Sequence, residues 1–270
     1  MQTVRQPAVA GAFYPGQATE LALDVRTFLA DVPLDTGNAG PVPKAIVVPH
    51  AGYVYSGSTA ALAYARLAAA RQVIRRVVLL GPAHRVPVRG LALPGDDYLA
   101  TPLGQVAVDQ AAVAQLAQLP QVVVNRSVHA QEHALEVQLP FLQTVLDNFK
   151  LVPLVVGDAT PEEVAEVLER LWGGPETLLV ISSDLSHFLP YHSAQQTDNR
   201  TVQSILNLDG PLSHQQACGG TPINGLLLAA RRHGLQPQLL GLCNSGDSVG
   251  DRDRVVGYAA LAFTEVSHAH

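Results

Sequence analysis

The sequence predicts an α/β fold: one domain, residues 1–270, with a central mostly parallel or mixed sheet flanked by helices. Three observations predict it. Short uninterrupted runs of Val, Ile and Leu recur along the chain, as in strands buried on both faces. Amphipathic stretches with helix start and stop signals fall between those runs. Only 15% of the 270 residues are charged and 47% are hydrophobic, which excludes disorder and demands a large core.

In chain order, residues 18–31 predict an amphipathic helix. Residues 31–43, rich in Pro, Gly and Asp, predict a loop; too little chain precedes them to make a domain. A strand follows at 44–49 (KAIVVP), an Ala-rich helix at 56–70 and a strand at 76–80 (RVVLL). Residues 90–104 are expected to be irregular. Helices are predicted at 109–119 and 131–148, the latter with Leu135, Leu139 and Leu142 as its buried stripe. After a strand at 151–156, Thr160-Pro161-Glu162-Glu163 forms a capping box with Pro at the first helical position, and Gly173 stops that helix. The strand TLLVIS at 177–182 precedes a helix at 193–208. Thr221-Pro222 opens another helix, closed by Arg231, Arg232 and His233 in its last turn and by Gly234. Strands at 238–243 and 255–263 complete the pattern.

Three strands end alike, with a histidine just past the carboxyl end: His50 after Pro49, His84 after Gly81-Pro82-Ala83, and His187 after Ser182-Ser183-Asp184. Open α/β sheets gather ligands at that edge. If the strands are parallel neighbours, the imidazoles converge, and imidazole suits Zn, Fe, Cu or Ni. Asp184, three residues before His187, offers either a ligand with a base or a carboxylate that orients the imidazole. His133, beside Glu132 and three residues before Glu136, faces either the site, where that two-residue spacing can ligate a metal, or solvent. The remaining six of the ten histidines, His192, His214, His233, His268 and His270 among them, are expected at the surface. Cys218-Gly219-Gly220 approaches a helix start, where backbone N–H groups hold an anion or the thiol simply packs. Cys243 precedes Asn244–Asp251, a loop with several oxygen donors.

Other classes are excluded. Two cysteines make no disulfide framework. A net charge of −6 with no basic run argues against nucleic acid or an anionic membrane surface as partner. No apolar span reaches 18 residues, and residues 1–16 lack an apolar leader core, so the expected location is cytoplasmic.

Several motifs together resemble the Memo family and, more distantly, the class III extradiol dioxygenases. They are PAVAGAFYP at 7–15, Pro49-His50-Ala51-Gly52-Tyr53, Gly81-Pro82-Ala83-His84, Thr101-Pro102-Leu103-Gly104, Glu132-His133 through Pro140, Ser182 through His187, Cys218-Gly219 and Gly257-Tyr258-Ala259-Ala260. The resemblance implies a dioxygenase-like fold with a metal cleft. His50 and His84 match the two histidine ligands, and His187 matches the acid/base of the dioxygenase relatives. Those relatives complete an Fe(II) site with a glutamate; eukaryotic Memo proteins use a cysteine there. Counting back from Gly257-Tyr258, that cysteine falls on Ser248. The expected third ligand is therefore Asp247, which favours Fe(II), with Cys243 as the alternative donor, which favours Zn or Cu. Prokaryotic members occur with a radical-SAM protein and an AMMECR-like protein, which are the expected partners besides a small molecule or peptide.

Three functions follow as expectations. The first is a metal-dependent oxidoreductase of unknown substrate, with His187 moving protons. The second is a non-catalytic module binding peptide or protein in the cleft. The third is a zinc hydrolase with Glu132 or His133 as base.

Overall fold

A computed structural model describes residues 2–33, 40–248 and 251–265. In chain order it contains β1 (Val4–Arg5), α1 (Ala18–Ala30), β2 (Ala45–Val48), α2 (Tyr53–Ala65), β3 (Arg76–Pro82), β4 (Leu91–Leu93), β5 (Tyr98–Thr101) and β6 (Gly104–Ala107). There follow α3 (Gln110–Leu116), β7 (Val122–Val124), α4 (Arg126–Ala130), α5 (Leu139–Val145), β8 (Lys150–Val156), α6 (Pro161–Arg170) and β9 (Thr177–Ser182). The chain continues through β10 (His187–Leu189), α7 (Tyr191–Leu206), α8 (Gly220–His233), β11 (Leu235–Asn244) and β12 (Val255–Glu265).

The main sheet runs β10-β12-β2-β9-β3-β8-β4-β7, with β11 paired to β12; β1, β5 and β6 form a small second sheet. Strands β2, β9, β3 and β8 are mutually parallel. Antiparallel pairings of β12 with β2 and of β4 with β8 make the sheet mixed. The Val/Ile/Leu runs split by alternation into two cores. Ile46, Val48, Val77, Leu79, Leu178 and Val180 pack under α1, α2 and α5. Val47, Val78, Leu80, Leu179 and Ile181 pack under α6, α7 and α8 on the other face. No helix among the described residues is long and apolar enough to cross a membrane.

Local signals held where they were strong. Thr160 and Glu163 form the expected capping box, and Gly234 closes α8 in the left-handed conformation. Long-range contacts overrode weaker ones. The predicted helix at 131–148 shrinks to a single 3-10 turn, Glu136–Gln138, running into α5 with Pro140 near its start. Residues 90–104 hold β4 and β5, each too short to show a period.

The expectation of six surface histidines fails at His129. His192, His214 and His233 are exposed, and His268 and His270 lie outside the described residues. His129 is buried on α4, its Nε2 2.7 Å from the Ala92 carbonyl oxygen. Burial lowers its pKa from 6.5 to about 4. Unfolding releases the ring to its ordinary value, so the unfolded state binds the extra proton between those two values. The contribution to stability is complete above pH 6.5 and is lost as pH falls through about 4. His129→Gln is expected to flatten the pH dependence of unfolding in that window by up to about 1.4 kcal/mol per pH unit. Urea titrations at stepped pH measure it, and an unchanged slope would refute it.

Candidate metal centre

The parallel order β2-β9-β3 brings three carboxyl ends to one edge, as the sequence expects, and each delivers a histidine-bearing loop there. His50 is buried directly after β2. Its Nδ1 lies 2.9 Å from Ser182 Oγ, at the end of β9. Ser182 Oγ donates its one hydrogen to the Ala134 carbonyl at 2.6 Å and accepts from Gln138 Nε2 at 2.8 Å. The His50 Nδ1–H must then donate to Ser182, leaving the lone pair on Nε2. Burial, with the nearby His84 ring second, pushes the His50 pKa down to about 3, so the ring is neutral.

His84, past β3, is held twice by Glu132. The carboxylate accepts the His84 backbone N–H at 2.6 Å and lies 2.8 Å from Nδ1. Burial opposes the Glu132 charge, but His84 and the backbone N–H groups of Ala134 and His84 prevail and hold its pKa at about 2. An ionised carboxylate only accepts, so His84 Nδ1 carries the hydrogen and Nε2 the lone pair. This is the carboxylate–histidine arrangement that orients imidazole ligands.

The third member is His133. Its ring stacks on His84 with centroids 4.6 Å apart and meets His50 edge-on at 5.4 Å. Its Nδ1 is buried and makes no hydrogen bond, lying 3.4 Å from Glu132 Oε1, and burial, then His50, lowers its pKa to about 4. One ring nitrogen from each of His50, His84 and His133 lies within 4.8 Å of the others. Three imidazole nitrogens this close form a donor set that a divalent transition metal would satisfy.

The expected third ligands lie elsewhere. Asp247 is exposed and caps its own turn: it accepts the Tyr191 hydroxyl hydrogen and, at 2.9 Å, the Asn244 N–H. Cys243 points to Thr59 Oγ1 at 3.0 Å, in a separate cleft beside Phe28 and Leu62. His133, expected as an acid/base, a ligand in the site or a solvent residue, joins the histidine group. Asp184 orients His50, not His187: Oδ1 accepts the His50 N–H at 2.7 Å, and Oδ2 lies 3.9 Å from His50 Nε2. The reason is that residues 183–186 are not helical. Leu185 N–H and Ser186 C=O bond to Gly257 on β12, so positions 184 and 187 do not share a face.

His187 has its Nδ1 2.9 Å from the Leu185 carbonyl, which leaves Nε2 as its second ring nitrogen. It lines a cleft of about 410 Å³ with Phe13, Tyr55, His133, Asp184 and Tyr258. A larger cavity, about 540 Å³, opens at the amino ends of the strands beside Val73 and Pro175. It carries no histidine or cysteine, and its Lys44 ammonium is spent on the carbonyls of Trp172, Gly174 and Thr177.

Cys218, read from the sequence as flanking an anion site or as a packed thiol, lies against His50. Its Sγ is 3.3 Å from His50 Nε2, and burial raises its pKa to about 12, so it is a thiol able to donate to that lone pair. The anion site considered there does not form, because the Gly219 and Gly220 N–H groups are taken by Ser183 Oγ and the Ala217 carbonyl. The Cys-Gly-Gly run was visible; the pairing with His50 across 168 residues was not.

The family model described as "Memo-like protein" matches residues 5–262. The chain belongs to the Memo family. This Memo-family chain is 37% identical to a MEMO1 family protein of Ignicoccus hospitalis, covering 96% of the chain and 98% of the relative. It is 34% identical to one from Sulfurisphaera tokodaii (96% and 99%). An uncharacterized protein of Escherichia coli K12, solved by crystallography, is 14% identical with a TM-score of 0.48, covering 82% of this chain and all of that one.

Proposed function

We propose that this Memo-family protein is a metal-dependent oxidoreductase that holds Fe(II) on His50, His84 and His133 and acts on a small molecule in the adjoining cleft. The observation that carries this reading is the gathering of three imidazole nitrogens within 4.8 Å, two of their tautomers set by Ser182 and Glu132. Bound Fe(II) supplies a one-electron couple and Lewis acidity. The chain's own residues do the rest. Glu132 and Ser182 keep the ligand rings aimed, Phe13 and Tyr258 wall the cleft, and His187 Nε2 takes or returns a proton.

Three histidines are also a donor set of catalytic zinc, which keeps the hydrolase as a second reading. Glu132, spent on His84 and Ala134, cannot serve that reading as base; His187 can. Anaerobic loading with Fe(II), Cu(I) or Zn(II), followed by chelator washing, metal analysis and oxygen uptake with ascorbate as reductant, tests both. One retained iron per chain with oxygen uptake lost in His84→Ala is expected. Retained zinc with iron excluded favours hydrolysis, and no retained metal overturns both in favour of a binding module.

A further inference from the structure

One feature of the cleft is not explained by metal binding. Phe188, next to His187, has φ +59°, a left-handed conformation that costs a residue with a Cβ free energy. Its ring is 60% exposed. Pairing with β12 shifts register between His187 and Leu189, so Phe188 is pushed outward from the ladder. Above that ring, 4.9 Å from its centroid, lies the Arg254 guanidinium, which lines the same cleft as His133 and His187. Among the described residues, no carboxylate pairs with Arg254. Asp251 at the rim instead accepts the Asp253 N–H, and Asp184 is buried against the His50 backbone.

We propose that Phe188 is a platform for Arg254, and that Arg254 is the anion-recognising arm of the cleft. The ligand class this selects is a small organic acid with a planar body. Its carboxylate takes the planar guanidinium fork, its body lies between Phe13, Tyr55 and Tyr258, and its far end reaches the histidines. A cleft of about 410 Å³ suits a ligand of that size. The cation–π seat holds the guanidinium over the cleft with its N–H donors uncommitted, so a carboxylate meets a fork already in place. This inference deepens the metal-site reading and rests on it for what the far end of the ligand meets.

Calorimetric titration of the metal-loaded protein with phenylacetate and with phenylacetamide tests it. The two probes share a body and differ in charge. The acid is expected to bind the wild type at least about tenfold tighter than the amide. Arg254→Gln should erase that preference by weakening the acid about tenfold and the amide far less, Arg254→Lys should keep part of it, and Phe188→Ala should reduce it several-fold. Equal affinities for the wild type, or an acid preference that survives Arg254→Gln, would overturn the proposal. Metal content is measured on the same samples. Acid preference without retained metal refutes the metal reading and keeps the arm; retained metal without acid preference does the reverse.

Discussion

Glu136→Ala is expected to destabilise the fold by about 3–5 kcal/mol, the scale of breaking one side of a buried ion pair. The Glu136 carboxylate is fully buried and pairs with the Arg5 guanidinium, itself nearly inaccessible. It also accepts the backbone N–H groups of Ala8 and Val9 at 2.8 and 3.0 Å and the Tyr14 hydroxyl at 2.6 Å. Removing it strands a charge, two amides and a hydroxyl together. Replacing both partners, Arg5→Met with Glu136→Leu, should restore part of the loss, because the stranded charge goes with it. Chemical denaturation of Arg5→Met, of Glu136→Leu and of the double variant gives the coupling. A single-variant cost below about 1 kcal/mol would show that water reaches this cluster. The same change should loosen the metal centre, since Arg5 Nη2 also holds the Glu132 carbonyl at 2.7 Å.

The second large effect is on metal affinity. His133→Ala should weaken binding by more than about 100-fold, and Glu132→Gln by about 10–100-fold, as expected for a group that orients a ligand. Asp247→Ala should change affinity by less than about twofold, because its carboxylate is engaged by Tyr191 and Asn244, outside the histidine group. Competition with a chromophoric chelator ranks the three. If Asp247→Ala matched His133→Ala, the carboxylate would be the third ligand and the three-imidazole site would fall.

These two residues also show how far the sequence could be read. The runs ending at Val48, Leu80 and Ser182 declared buried strands through composition; that they are parallel neighbours, so that His50 and His84 meet at one edge, is set by the pairing of β2 and β3 with β9. Local sequence marks His133 only as facing either the site or solvent. Its segment looked helical because Leu135, Leu139 and Leu142 keep helical spacing. What sets its conformation instead is Arg5 on the carbonyls of His129 and Glu132, and Glu132 on His84. Glu136, which pairs formally with His133 in the sequence, turns away to the amino-terminal segment. Asp247 drew notice by its count from Gly257, and a capped turn absorbs it. Periodicity reports burial; it is silent on which distant polar group a side chain will satisfy.

The position of β9 between β2 and β3 bears on how the protein is made. The ribosome delivers His50, His84 and His133 well before it delivers β9, yet the two strands that carry His50 and His84 are separated in the sheet by that later strand. Until β9 inserts, the His50 loop lacks its Ser182 anchor, and the spacing of the three rings is unset. A nascent chain thus has no finished site to offer whichever metal it meets first. Any ion the three histidines hold would be selected by a molecule whose sheet is already assembled.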